Sequence, residues 1–103
     1  MMLTKKAIVM ESVDNVATAV EPIDASEKIA VEAGGVKVIV HITENIPFGH
    51  KFAIRGIREG ELILKYGEPI GVAYIDIKAG QHVHVHNLES RRGRGDHSKK
   101  FFP

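Results

Sequence analysis

Ile77-Lys78-Ala79-Gly80-Gln81-His82-Val83 decides the fold class. An apolar anchor is followed three residues on by glycine and three further on by a second apolar residue. That spacing reads as a strand end, a tight turn and the start of a new strand. It recurs as Ile23-Asp24-Ala25-Ser26-Glu27-Lys28-Ile29, Ile46-Pro47-Phe48-Gly49-His50-Lys51-Phe52 and Ile57-Arg58-Glu59-Gly60-Glu61-Leu62-Ile63. The anchors are separated by 23, 11 and 20 residues, an irregular series that excludes a solenoid. One kind of corner is being reused within a compact β domain.

Strand-like runs lie between the corners. Val36–Ile42 and Ile70–Ile77 are rich in β-branched residues, and Leu62–Tyr66 is a shorter run. Asp14–Val20 and Ala7–Met10 read as N-terminal strands. Gly34-Gly35 and Tyr66-Gly67-Glu68-Pro69 mark turns. Residues 25–32 and 53–58 each allow one short helical turn, but no segment sustains a 3.6-residue period. The expectation is a mainly β chain of short strands and hairpins, with at most one or two helical turns.

The bulk numbers fit one domain: 103 residues, 44% of them apolar, with no Trp and only four Phe and two Tyr. The core must come from Ile, Val and Ala. The absence of cysteine excludes disulfides, thiolate catalysis and Cys-type zinc sites. No apolar run approaches the roughly 20 residues of a membrane helix, and no secretory h-region opens the chain, so a cytoplasmic location without membrane attachment is expected. The net charge of +1 hides an asymmetry. Residues 1–90 carry nine Lys/Arg against twelve Asp/Glu, whereas residues 91–103 carry five against Asp96 alone. Such a tail is either a flexible end or a docking segment for an anionic surface. Five charges without interleaved aromatics argue against nucleic acid.

The fourth corner runs into His82-Val83-His84-Val85-His86-Asn87, which holds three of the six histidines. If the strand continued regularly, the three imidazoles would share one face and the valines the other. A solvated strand face would give the same pattern. Imidazole is, however, the commonest metal ligand and the near-neutral acid/base, which favours a metal or substrate site. Asn87 would then either lie on the opposite face or cap the following turn. His50 and Lys51 follow the Pro47-Phe48-Gly49 corner, where a turn can present them to a ligand. Tyr66 reads as a half-buried anchor, Asp14 and Asn15 as caps of the first strand, and His41 as a boundary residue.

Taken in order, Asp14-Asn15-Val16-Ala17, Ile46-Pro47-Phe48-Gly49-His50-Lys51, Lys65-Tyr66-Gly67-Glu68-Pro69-Ile70-Gly71, the histidine row with Asn87, and Glu89-Ser90-Arg91-Arg92-Gly93-Arg94-Gly95-Asp96 cover roughly residues 12–96. This ordered set resembles the SAF domain of altronate and galactarate dehydratases, and the stand-alone small subunits of split enzymes. The resemblance implies a β-clip fold over residues 12–90, with residues 1–11 as a lead-in strand and 91–103 as the basic tail. It implies the small subunit of a metal-dependent hydro-lyase acting on sugar acids or other hydroxy acids, with the active site completed by a large catalytic subunit. A sulfolactate sulfo-lyase small subunit shares the same plan. Fe²⁺ or Mn²⁺ is the implied cofactor. The implied metal ligands are His82, His84 and His86, with His84 and His86 catalytic. His50, Lys51, Asn87 and Arg91 would contact substrate. A stand-alone metal- or ligand-binding module, a structural β-clip domain and homo-oligomerisation are the competing expectations.

Overall fold

A computed structural model describes residues 6–33 and 35–90. Nine strands follow in order: β1 (Ala7–Ile8), β2 (Val16–Ala19), β3 (Lys28–Ala33), β4 (Val36–His41), β5 (Lys51–Ala53), β6 (Leu62–Lys65), β7 (Glu68–Ala73), β8 (His82–Val83) and β9 (Leu88–Ser90). They form a four-stranded sheet in the order β1-β2-β5-β8, a β3-β4 hairpin and a three-stranded β6-β7-β9 sheet. Every pairing is antiparallel.

The four corners explain how so short a chain folds. Each closes with a backbone bond from its fifth residue to its second: Glu27 to Asp24, His50 to Pro47, Glu61 to Arg58, and Gln81 to Lys78, at 2.9–3.2 Å. The fourth residue takes a positive φ each time, at Ser26, Gly49, Gly60 and Gly80, as the third position of a type II turn requires. The anchors are buried and meet in pairs, Ile23 bridging Ile46 and Ile57 bridging Ile77. The closing apolar residues Ile29, Phe52, Ile63 and Val83 are fully buried at the starts of β3, β5, β6 and β8. The corner is thus an in–out device. It pins one apolar side chain in the core, turns outside it and drops a second one back in.

The central sheet has two buried faces. Ala17, Ala19 and Phe52 pack with Ile23, Ile29, Val31, Val40, Ile42 and Ile46 in one cluster. Val16 and Ala53 alternate to the other face and join Ile57, Ile63, Ala73, Ile77 and Val83 in a second. No helix occurs among the described residues. The helical turn expected in 25–32 is instead a type II turn running into β3, because pairing with all of β4 overrides the helix preference of its Lys, Ala and Glu residues. Residues 53–58 end β5 and enter the Ile57 corner.

The β6-β7 hairpin turns on Tyr66 and Gly67, both at positive φ (57° and 77°), as a two-residue type I′ loop requires. Tyr66 is about half exposed there, with Lys65 Nζ 4.9 Å from its ring centre. Asp14 and Asn15 do more than cap the first strand. The buried Asp14 carboxylate accepts the N–H groups of Tyr66 (2.9 Å), Gly67 (2.8 Å) and Glu11 (3.2 Å). Asn15 accepts from Leu64 N and donates to Leu62 O, pairing the outer edge of β6 where its register shifts. Asp14→Ala strands the hairpin's turn amides, and we expect it to cost about 2–3 kcal/mol. The urea midpoint measures this; a loss below about 0.5 kcal/mol, the level of a neutral surface change, would dismiss the clamp.

Candidate functional site

β8 holds only two residues of the histidine row. The chain then turns through residues 84–87, closed by Asn87 N donating to His84 O at 3.1 Å. The row is therefore not one regular strand. Val83 is fully buried, but Val85 projects into solvent at the turn. Asn87 explains the break. Its buried side chain accepts from His84 N (3.0 Å) and donates to His82 O (2.9 Å), bracing the turn from inside. Both ends of its amide are thereby engaged by backbone of the turn that Asn87 closes, and not of the following turn that the sequence reading offered.

The second corner brings in a further ring. Pairing of Phe52 with His82 places the start of β5 beside β8. His50 Nδ1 then lies 2.8 Å from His82 Nε2. The His50 and His84 rings stack at 4.4 Å, and His50 and His82 at 5.0 Å. His50, His82 and His84 each offer a ring nitrogen within 4.8 Å of the others, the only group of three or more potential ligands among the described residues. His86 stands outside this group, tilted against His82 at 5.4 Å. The structure thus gathers a different triad from the His82, His84 and His86 set expected from the row.

Why His50 is available follows from the corner chemistry. In the other three corners the fifth residue caps its own turn. Glu27 accepts from Asp24 N, Glu61 from Arg58 N and Gln81 from Lys78 N, at 2.6–2.8 Å. In the second corner the corresponding donor position is Pro47, which has no N–H. No acceptor is needed, and the fifth position can carry an imidazole turned towards β8. This exception was readable in the sequence once the four corners were aligned.

Glu44, not singled out from the sequence, accepts from His82 N at 3.1 Å and fixes the start of β8. Lys51 is half-buried, and its pKa is lowered by burial and by the charge of Lys65. The His82 pKa is lowered by burial, then by His50, His86 and His84, with Glu44 opposing. That of His84 is lowered by desolvation, then by His50, Lys51 and His86. Both rings therefore stay neutral below the ordinary histidine range, the state in which imidazole binds metal. His41 is exposed. Arg91 and the rest of the basic tail lie outside the described residues.

These shifts fix the sign of a pH effect. Unfolded histidines take up protons near pH 6.5, whereas folded His82 and His84 do so only at lower pH. Between the two values the unfolded chain binds more protons, so stability is full above about pH 6.5 and falls as pH drops through the folded values. The metal-free protein should melt at a lower temperature at pH 5 than at pH 7. The double variant His82→Gln/His84→Gln should show a shallower slope; equal slopes would contradict the assignment.

The donor set suits a divalent ion. The 2.8 Å contact between His50 and His82 is a ring-to-ring hydrogen bond that a bound ion would replace, since nitrogens about 2.1 Å from one ion and at right angles are about 3.0 Å apart. A purely imidazole set matches iron, zinc, nickel or copper better than oxygen-seeking manganese.

No helix among the described residues is long and apolar enough to cross a membrane. Residues 5–91 match the family model described as altronate/galactarate dehydratase SAF domain. The chain is 40% identical over 86 residues to altronate dehydratase of Bacillus subtilis (strain 168), and 39% identical over 83 residues to that of Escherichia coli (strain K12). These alignments cover 84% and 81% of this chain but only 16% of each relative. It is also 45% identical over 51 residues to (2R)-sulfolactate sulfo-lyase subunit alpha of Chromohalobacter salexigens, covering 50% of this chain and 54% of that subunit. With the family match spanning nearly all the described residues, the chain belongs to the altronate/galactarate dehydratase SAF domain family.

Proposed function

We propose that this chain is the small, non-autonomous part of a hydro-lyase that dehydrates a sugar acid of the altronate or galactarate type, and that a large catalytic chain completes its active site. The observation that carries the reading is the convergence of His50, His82 and His84 within 4.8 Å, from β8 and two separate turns, in a domain of this family. Their ring nitrogens hold a divalent ion, Fe²⁺ in preference to Mn²⁺ on the donor chemistry. When bound, the ion supplies Lewis acidity towards the substrate's carboxylate and hydroxyl oxygens.

The chain's own residues do the remainder. Asn87 and Glu44 hold the β8 turn, keeping His82 and His84 oriented towards His50. Exposed His86, outside the triad, is free to exchange a proton at its ring nitrogen with substrate or leaving group. Lys51, beside Lys65, adds positive charge suited to an anionic substrate.

Mixing the chain with the large chain of a split lyase should produce metal-dependent loss of water from altronate or galactarate. His84→Ala should abolish it, and turnover by the large chain alone at the full rate would refute the proposal. The sulfolactate reading rests on the likeness to the sulfo-lyase alpha subunits. Sulfite release from sulfolactate in the same mixture, without dehydration, would select it. Metal binding with no association to any lyase chain would select a stand-alone module.

A further inference from the structure

The two most exposed large apolar side chains among the described residues stand on the two turns that carry His50 and His84 of the triad. Val85 is 75% exposed and Phe48 67%. Each is the second residue of its turn, Phe48 in Pro47–His50 and Val85 in His84–Asn87. The equivalent tips of the other three corners are Ala25, Glu59 and Ala79. A turn tip makes no demand for a large apolar residue, and one such residue alone would mean little. Here two occur where the turns meet, since the His50 and His84 rings stack at 4.4 Å. A bond from Tyr74 N to Asn87 O (2.9 Å) brings Tyr74 and Ile75, both about half exposed, alongside. Both turns at the histidine site therefore carry exposed apolar side chains, with two more on the segment bonded to Asn87.

What would cover them follows from the site and its relatives. Imidazole ligands bring no negative charge to a divalent ion, and no carboxylate joins their group, Glu44 being held at the His82 amide. The remaining ligands therefore come from outside the triad, as water or as oxygen atoms of another chain. In the altronate dehydratases the aligned region is 16% of the protein, and the sulfo-lyase relatives are named as one subunit, alpha.

We propose that Phe48 and Val85, flanked by Tyr74 and Ile75, form the docking rim for the large catalytic chain. They would seat an apolar surface of that chain and bring its carboxylates over His50, His82 and His84. The inference rests on the reading of this chain as part of a two-part lyase, and it adds the surface through which the parts meet.

The test uses the large chain that reconstitutes dehydration with this one. Phe48→Ser and Val85→Ser should each weaken association about tenfold or more by calorimetry, the size of an interface anchor. Co²⁺ affinity of the isolated variants should be unchanged, and Ile39→Ser, an equally apolar change on the exposed side of β4, should leave association intact. Reconstitution that succeeds with undiminished association of the Phe48→Ser/Val85→Ser double variant overturns the rim and leaves the lyase reading standing. Absence of any reconstituting large chain overturns both. Self-association of the wild type that both substitutions abolish overturns the choice of partner in favour of a second copy.

Discussion

His50→Gln lowers divalent-metal affinity at least a hundredfold while leaving the thermal midpoint almost unchanged. Loss of an outer-shell partner alone costs about 10–100-fold in metal affinity, so loss of a direct ligand sets the lower bound. Glutamine is the informative replacement because Gln81 occupies the equivalent place in the fourth corner and fits it. Pro47 offers no N–H to either residue, so the substitution removes a ligand without opening the turn. His86→Gln is the matching control. That ring lies outside the triad, and its removal should change metal affinity less than about threefold, while its proposed role in proton transfer would still lower turnover of the reconstituted enzyme. Fe²⁺ or Co²⁺ titration checks both. Equal losses at positions 50 and 86 would restore the histidine row as the binding unit.

Gly80→Ala destabilises the fold by about 4 kcal/mol or more, the largest effect expected of a single methyl group here. Gly80 has a φ of +91°, and a Cβ there would overlap the backbone carbonyl of His41. The residue is also wedged by hydrogen bonds: its N–H donates to Ala53 O at 2.8 Å, and its carbonyl accepts from Thr43 N at 3.1 Å. Neither neighbour is a flexible side chain that can swing away. Gly60→Ala provides the comparison, because its φ is +88° but nothing lies within 4 Å of the added atom. That variant should lose only the cost of the left-handed backbone, about 1–2 kcal/mol. The difference between the two urea midpoints isolates the steric part. Because Gly80 precedes His82 by two residues, the Gly80 variant should also bind metal more weakly where it remains folded.

The corner pattern made much of the fold legible. Anchor, turn residue and closing apolar residue were visible at four places, and all eight apolar residues of the set are buried. Pairing of the anchors was not visible, because Ile23–Ile46 and Ile57–Ile77 contacts depend on chain path rather than local preference. β3 was obscured for the same reason, its helix-compatible composition being overruled by β4. At the site, alternation in His82–His86 implied a strand, but Asn87 turns the chain inside that row. A local hydrogen bond won over periodicity. His50 was legible as a ligand-facing residue but not as a partner of His82, which lies 32 positions away. Glu44 gave no signal of its own, since its bond goes to a backbone amide of β8, 38 positions away.

The most direct measurement is anomalous diffraction from crystals of the chain soaked in Co²⁺ or Fe²⁺. The account predicts a single strong peak bounded by nitrogens of His50, His82 and His84, with His86 uncoordinated. A peak bounded by His82, His84 and His86 without His50, or no peak at these histidines, would contradict it.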